Sequence, residues 1–263
     1  MKKPLLKFTV LLFFFFFTTT YSQSRFSHEV GVIFGPTSFQ TDFGISGDFA
    51  SANQSSMAFG VVHYLKFFGS QYNWRSGSSF FSEHFKLKTE FIYTSNTNIS
   101  HEGINLSSSN ADKLEAMKGN IKMYNIGTNL EFYFLELEDY SSYFKASGSL
   151  NPFISIGLQY SIFDPDITVN GNSLEGKTEP YTDLIDKWQT GAIFLESDAT
   201  FGVSAGAGLR YSLDKLDLLL DGRYQYFFSD NVDGLNAPND PANKNNDSMV
   251  FINIGIVYVF NKY

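Results

Sequence analysis

The stretch Ser248–Tyr263, SMVFINIGIVYVFNKY, decides the fold. Successive side chains of a strand point to opposite faces. Ile252, Ile254, Ile256, Tyr258 and Phe260 therefore share one face, and Asn253, Gly255, Val257 and Asn261 share the other. A strand long enough to cross a bilayer, apolar on one side, mixed on the other and aromatic at its end, has the pattern of a transmembrane barrel strand whose outer face meets lipid. Such a strand needs partners that close the ring.

The preceding sequence offers seven. Arg25–Gly35 sets His28, Val30, Val32 and Phe34 against Glu29, Gly31, Ile33 and Gly35, and Pro36 is expected to stop it. Met57–Phe68 points Phe59, Val61, Leu65 and Phe67 outward and Gly60, Tyr64 and Lys66 inward, with His63 awkward on the outward side. His84–Ser95 alternates most cleanly: Phe85, Leu87, Thr89, Phe91 and Tyr93 oppose Lys86, Lys88 and Glu90. Ile121–Leu135 and Leu150–Phe163 repeat the pattern, with Asn125, Gly127, Asn129 and Glu131 inward on the first and Ser155, Gly157, Gln159 and Ser161 inward on the second. In Ala199–Leu213, Gly202, Gly206, Gly208 and Arg210 share a face. Asp214 and Lys215 turn the chain into Leu216–Phe228, where Asp217, Asp221, Arg223 and Gln225 oppose Leu218, Leu220, Tyr224 and Tyr226.

Eight strands put both ends on one side. With that side periplasmic, the connections after strands one, three, five and seven become extracellular loops of about 20, 25, 35 and 19 residues. They are rich in Gly, Ser, Asn and Asp. A short helix is expected at Ala111–Lys118, ended by Gly119, and a turn at Asn170-Gly171. Asp164–Asp198 is expected to be connection, partly helical around Tyr181–Gln189. The connections Gly69–Glu83 and Glu136–Ser149 are long for periplasmic turns.

The start, MKKPLLKFTVLLFFFFFTTTYSQS, has Lys2, Lys3 and Lys7 before an apolar run, Phe8–Phe17, too short to span a bilayer as a helix. This predicts a secretory signal peptide over residues 1–22, leaving a barrel domain over 23–263. Losing those three lysines takes the formal charge from −8 to −11, which argues against nucleic acid as a partner. The 263 residues include 29 Phe and 15 Tyr, yet mean hydropathy is only −0.14, as strict alternation would produce. There is no cysteine, so disulfides, thiolate metal sites and an N-terminal lipid-modified cysteine are excluded.

The inward positions pool to Glu29, Lys66, Lys86, Lys88, Glu90, Asn125, Glu131, Gln159, Arg210, Asp217, Asp221, Arg223 and Gln225. An eight-stranded barrel is just wide enough for side chains to fill, and balanced charges inside it should pair. A salt-bridged plug is the expected arrangement, with a narrow ion or proton path as its functional rival.

Other signals point less far. The run GVSAGAG (Gly202–Gly208) lacks the glycine order of a nucleotide loop and is read as small residues making room for Arg210 and its neighbours. None of His28, His63, His84 and His101 has metal-pair spacing. His101-Glu102 with a loop serine would make a hydrolytic site, and Asp164, Asp166, Asp230, Asp233, Asp240 and Asp247 could serve Ca²⁺, though no calcium-loop pattern is present. No catalytic, cofactor or metal residue is assigned.

The segments HEVGVIFGPTSFQTDFG (28–44), FGVVHYLKF (59–67), HFKLKTEFIY (84–93), LEAMKGN (114–120) and NPFISIGLQYSIFDPD (151–166) resemble a family of outer-membrane β-barrel proteins from flavobacteria and other Bacteroidota. The resemblance implies a small OmpX-like or PorT-like barrel in the outer membrane and carries no established catalytic or ligand residues with it. The expected protein is an all-β, eight-stranded antiparallel transmembrane β-barrel with long extracellular loops. It is expected to be a monomer surrounded by outer-membrane lipid, with a structural or interaction role through loops that contact a surface or envelope protein; the rival roles are a narrow pore or accessory barrel of a transport or secretion machine, and an outer-membrane lipid-modifying enzyme. A soluble lipocalin-like barrel, with apolar residues inside, is the architectural rival.

Overall fold

The computed structural model describes residues 26–43, 55–67, 80–95, 99–101, 109–137, 149–213, 215–237, 240 and 245–260. The expected signal peptide, Trp74, Glu102, Asp214 and Asn261 lie outside them.

Eight long strands form the wall: β1 (Phe26–Gln40), β2 (Ser55–Phe67), β3 (Phe85–Ser95), β4 (Met117–Tyr133), β5 (Ser149–Val169), β6 (Asp198–Ser212), β7 (Leu216–Phe227) and β8 (Ser248–Val259). Each pairs antiparallel with its sequence neighbour, and β8 pairs back with β1, so the barrel is closed. The register measures the shear. From Glu29 the paired residues run Tyr64, Lys88, Asn129, Gly157, Ser204, Gln225 and Met249, and the path returns to β1 at Phe39, ten residues along. With a strand spacing of about 4.8 Å and a rise of about 3.3 Å, this shear gives a tilt of about 40° and a radius of about 8 Å. All residues on that path point inward.

Burial alternates along every wall strand, with the charged and amide groups inside, sharing the interior with Ile33, Val62, Ile92, Leu219 and Val257, and apolar groups outside. Ile252, Ile254, Ile256, Tyr258 and Phe260 are all exposed, as are Ile156, Leu158, Leu218 and Leu220. This polarity is the reverse of a soluble barrel's. At the end with the tight β6–β7 turn, Phe26, Phe67, Phe81, Phe85, Phe132 and Phe134 form a chain of ring contacts along the outside. Towards the loop end the ring pairs become Tyr93–Tyr124, Tyr160–Phe201 and Tyr226–Phe228. These are the two aromatic girdles of a transmembrane barrel. Helix α1 (Phe80–His84) ends the long β2–β3 connection and adds Phe80 and Phe81 to the lower girdle.

Four expectations need correction. Pro36 does not stop β1: it faces outward and pairs with Met57 on β2, and the β8 side has no paired residue at Gly35 or Pro36, where the missing N–H costs nothing. The short helix α2 runs only Ala111–Ala116, and Gly119 lies inside β4, because the strand begins at Met117 and buries Met117 and Ile121. Residues 164–169 are not connection but the end of β5, paired to residues 117–122 as far as the Asn170-Gly171 turn. The helical piece near Tyr181–Gln189 is a single 3-10 turn, Asp186–Trp188.

If Ile254 and Leu220 face lipid, Ile254→Arg or Leu220→Arg lowers stability by about 2–4 kcal/mol. Loss of the unboiled-versus-boiled gel shift checks this, and two variants that fold like the parent would refute the facing.

Candidate functional site

All thirteen inward residues singled out from the sequence are buried. The structure joins them into a network running from the turn end to mid-barrel. Lys86 Nζ bonds Glu29 at 2.7 Å, Arg210 bridges Glu29, and Arg210 Nε meets Asp217 at 2.8 Å. Tyr133, which the sequence did not flag, donates its hydroxyl to Glu131 at 2.6 Å and takes Arg210 Nη1 at 3.4 Å. The next level centres on Lys88, within 3.2 Å of Glu131, 3.3 Å of Asp221 and 3.7 Å of Glu90. Above it Arg223 reaches Glu90, whose Oε1 also accepts from Asn129 and Gln159, both at 2.9 Å. Glu29, Glu90, Glu131, Asp217 and Asp221 thus face Lys66, Lys86, Lys88, Arg210 and Arg223, five charges of each sign. Lys66 Nζ also donates to the Leu137 carbonyl at 3.3 Å.

Towards the loops the network turns neutral. Gln225 donates to Asn125 at 3.2 Å and to Ser161 at 3.0 Å, and Ser161 is bonded to Asn125. Glycine makes room here. A Cβ on Gly127 would overlap the Gln159 amide, and one on Gly157 would overlap Asn129. On β6 the space left by Gly208 is taken by Phe153 and that beside Gly206 by Ser155, so these glycines do not serve Arg210 as expected.

Past this amide layer, β4 and β5 run on and the connections fold over their inner face. Phe43, Ile99, Leu114, Leu174, Leu184, Trp188, Val232 and Leu235 are buried against Ile121, Met123, Phe163, Ile167 and Phe251 as one apolar cap. His101 belongs to it: its ring stacks on Phe43 at 5.0 Å and on Trp188 at 5.2 Å, joining three connections. Neither of its nitrogens has a hydrogen-bond partner among the described residues, so no serine hydroxyl among them meets this imidazole. Burial, then the nearby Lys187, lowers its pKa from the ordinary 6.5 to about 4.

The cap also holds carboxylates. Asp233 accepts from the Asp42 N–H at 3.1 Å and the Leu235 N–H at 2.7 Å; Asp247 accepts from the Val232 N–H at 2.8 Å. Burial, then Asp42 and Asp230, raises the pKa of Asp233 well above normal, and burial, then Asp233, Asp230 and Asp42, does the same to Asp247. Asp42 rises to about 6 through burial and Asp230, with Asp240 adding and Lys187 opposing. Of the six carboxylates considered for Ca²⁺, Asp164 and Asp166 sit on β5 bonded to Ser197 and Ser173. No group of three His, Cys, Asp or Glu able to hold a metal occurs among the described residues.

No protein-family model matches the chain, and no curated protein matches it. Solved structures similar in shape include a major outer membrane protein from Thermus thermophilus (11% identity, 89% of this chain and 100% of that one, TM-score 0.44). Others are Neisserial surface protein A (12%, 90% and 98%, 0.42) and the outer membrane enzyme PagL (12%, 88% and 98%, 0.34). The fold stands on the closed strand ladder, and these scores carry no argument about activity.

Two outcomes follow. Glu90→Ala leaves Arg223 and part of the Lys88 charge uncompensated and costs about 3–5 kcal/mol in urea unfolding. Replacing Glu90 and Arg223 together by leucine costs less than the single change. The cap responds to pH with two signs. Raised carboxyl pKa values contribute stability that is full below the ordinary carboxylate range and lost, for Asp42, as pH rises through about 6. Lowered His101 contributes stability that is full above about 6.5 and lost as pH falls through about 4. Three carboxyls outweigh one imidazole, so protease cutting in the cap increases between pH 5 and pH 7.5, and Asp42→Asn reduces that increase.

Proposed function

We propose that the protein resides in the outer membrane as a closed barrel with a structural or interaction role, the long-loop end being the surface that meets a partner from the envelope or cell surface. The observation that carries this is closure at two successive levels: a charge-neutral network of buried ion pairs in mid-barrel, and an apolar cap of interlocked connections above it. A channel needs sites weak enough for ions to leave. Charges held by two or three partners each, as Lys88 and Glu90 are, do not release them. The inverted polarity of the wall supports a lipid environment, and the flavobacterial resemblance supports the outer membrane as its place. In this reading the residues before Phe26 direct export, the tight turn faces the periplasm and the cap faces outward.

Reconstitution into a planar bilayer tests it. The intact protein should give a flat current trace, and cell fractionation should find it in the outer membrane with a heat-dependent gel shift. Discrete conductance steps from the intact barrel would instead support the narrow-pore reading.

A further inference from the structure

One pair of polar side chains breaks the apolar outer face. His28 on β1 and His63 on β2 both point outward, His28 exposed and His63 half-buried. Their positions are diagonal in the register, His28 opposite Leu65 and Val30 opposite His63. His28 Nδ1 lies 3.0 Å from His63 Nε2, and the rings are 5.3 Å apart between centroids at 25°. Those values describe two nearly coplanar rings joined end to end by one N–H···N hydrogen bond.

The pair stands just inside the turn-end rim. Phe26 and Phe67 meet two residues towards the turn end, and Phe260 donates its N–H to the His28 carbonyl. That girdle marks the level where hydrocarbon gives way to headgroups.

The hydrogen bond between the rings uses one nitrogen of each. In a neutral pair one ring must donate and the other accept, and this fixes both tautomers. The two remaining nitrogens, His28 Nε2 and His63 Nδ1, are then one donor and one acceptor, whichever ring donates. In hydrocarbon both would be orphaned, at a cost that Phe or Leu at these positions would avoid. At headgroup level they match a lipid with an anionic phosphate oxygen to accept and a primary ammonium to donate.

We propose that the His28–His63 pair is a binding site for the headgroup of an ethanolamine-type phospholipid in the leaflet surrounding the turn end. The phosphate takes the free imidazole N–H and the ammonium gives a hydrogen bond to the free imidazole nitrogen. This rests on the membrane placement proposed above, and the lipid is chosen by the continuity of the pair with the lipid-facing wall. A phosphocholine lipid supplies the phosphate but no N–H, and a phosphoglycerol lipid supplies no ammonium.

The test uses the full-length mature barrel in mild detergent, mixed with equal amounts of phosphatidylethanolamine and phosphatidylcholine and read by native mass spectrometry. The parent should retain the ethanolamine lipid over the choline lipid by about fivefold, the size of one ordinary hydrogen bond. His63→Phe and His28→Leu, which suit the apolar wall, should each bring the ratio near one while keeping the heat-dependent gel shift. Equal retention by the parent, or an unchanged ratio in both folded variants, would overturn the site. A protein without the gel shift fails the barrel reading instead, so the two failures are told apart.

Discussion

The pairing of β8 with β1 is the constraint on which everything else depends. It removes the last sheet edge, without which the backbone groups of β1 and β8 would lie unpaired in lipid. It also fixes the shear, and with eight strands the shear fixes a radius of about 8 Å. A tube that narrow has no lumen independent of its side chains. Whatever points inward must pack, and whatever is charged must find its partner among the other inward groups.

The interior meets that demand by composition and by glycine. Five acids and five bases interlock across the lumen, reaching between strands distant in sequence: Glu29 with Arg210, Glu90 with Arg223, Lys88 with Asp221. Buried pairs of this kind add little net stability, because desolvation offsets most of the attraction. Their stronger effect is on register. A slip of β3 by one residue would send Lys86, Lys88 and Glu90 into lipid and Phe85, Phe91 and Tyr93 into the lumen. The charges therefore specify one alignment more firmly than an apolar filling could.

Above the membrane the logic reverses. β4 and β5 extend past the wall, and their inner faces change from Asn125 and Ser161 to Met123, Ile121, Phe163 and Ile167. This apolar ribbon draws the connections over it, with the Phe43–His101–Trp188 stack as one fastening and the Asp233 and Asp247 hydrogen bonds as others. The outermost part of the molecule is thus a small core, and its buried carboxyls make its strength depend on pH.

The alternation through all eight segments, clearest from Ile252 to Phe260 and from Phe85 to Tyr93, by itself determined the strand number, the closed barrel, which residues face in and the balance of charge inside. These are readable because strand periodicity is local, and a face is assigned by counting in twos. Sequence reasoning placed His63 on the outer face without a reason for it; the reason, His28, lies 35 positions away and becomes a neighbour only through the β1–β2 register. It likewise set Tyr133 aside, and read His101 and the aspartates of the last connection as loop residues. The tertiary structure alone decided which acid meets which base, how far β4 and β5 run on, and that the connections form a core. Those outcomes depend on shear and on contacts between segments far apart along the chain, which no local pattern encodes.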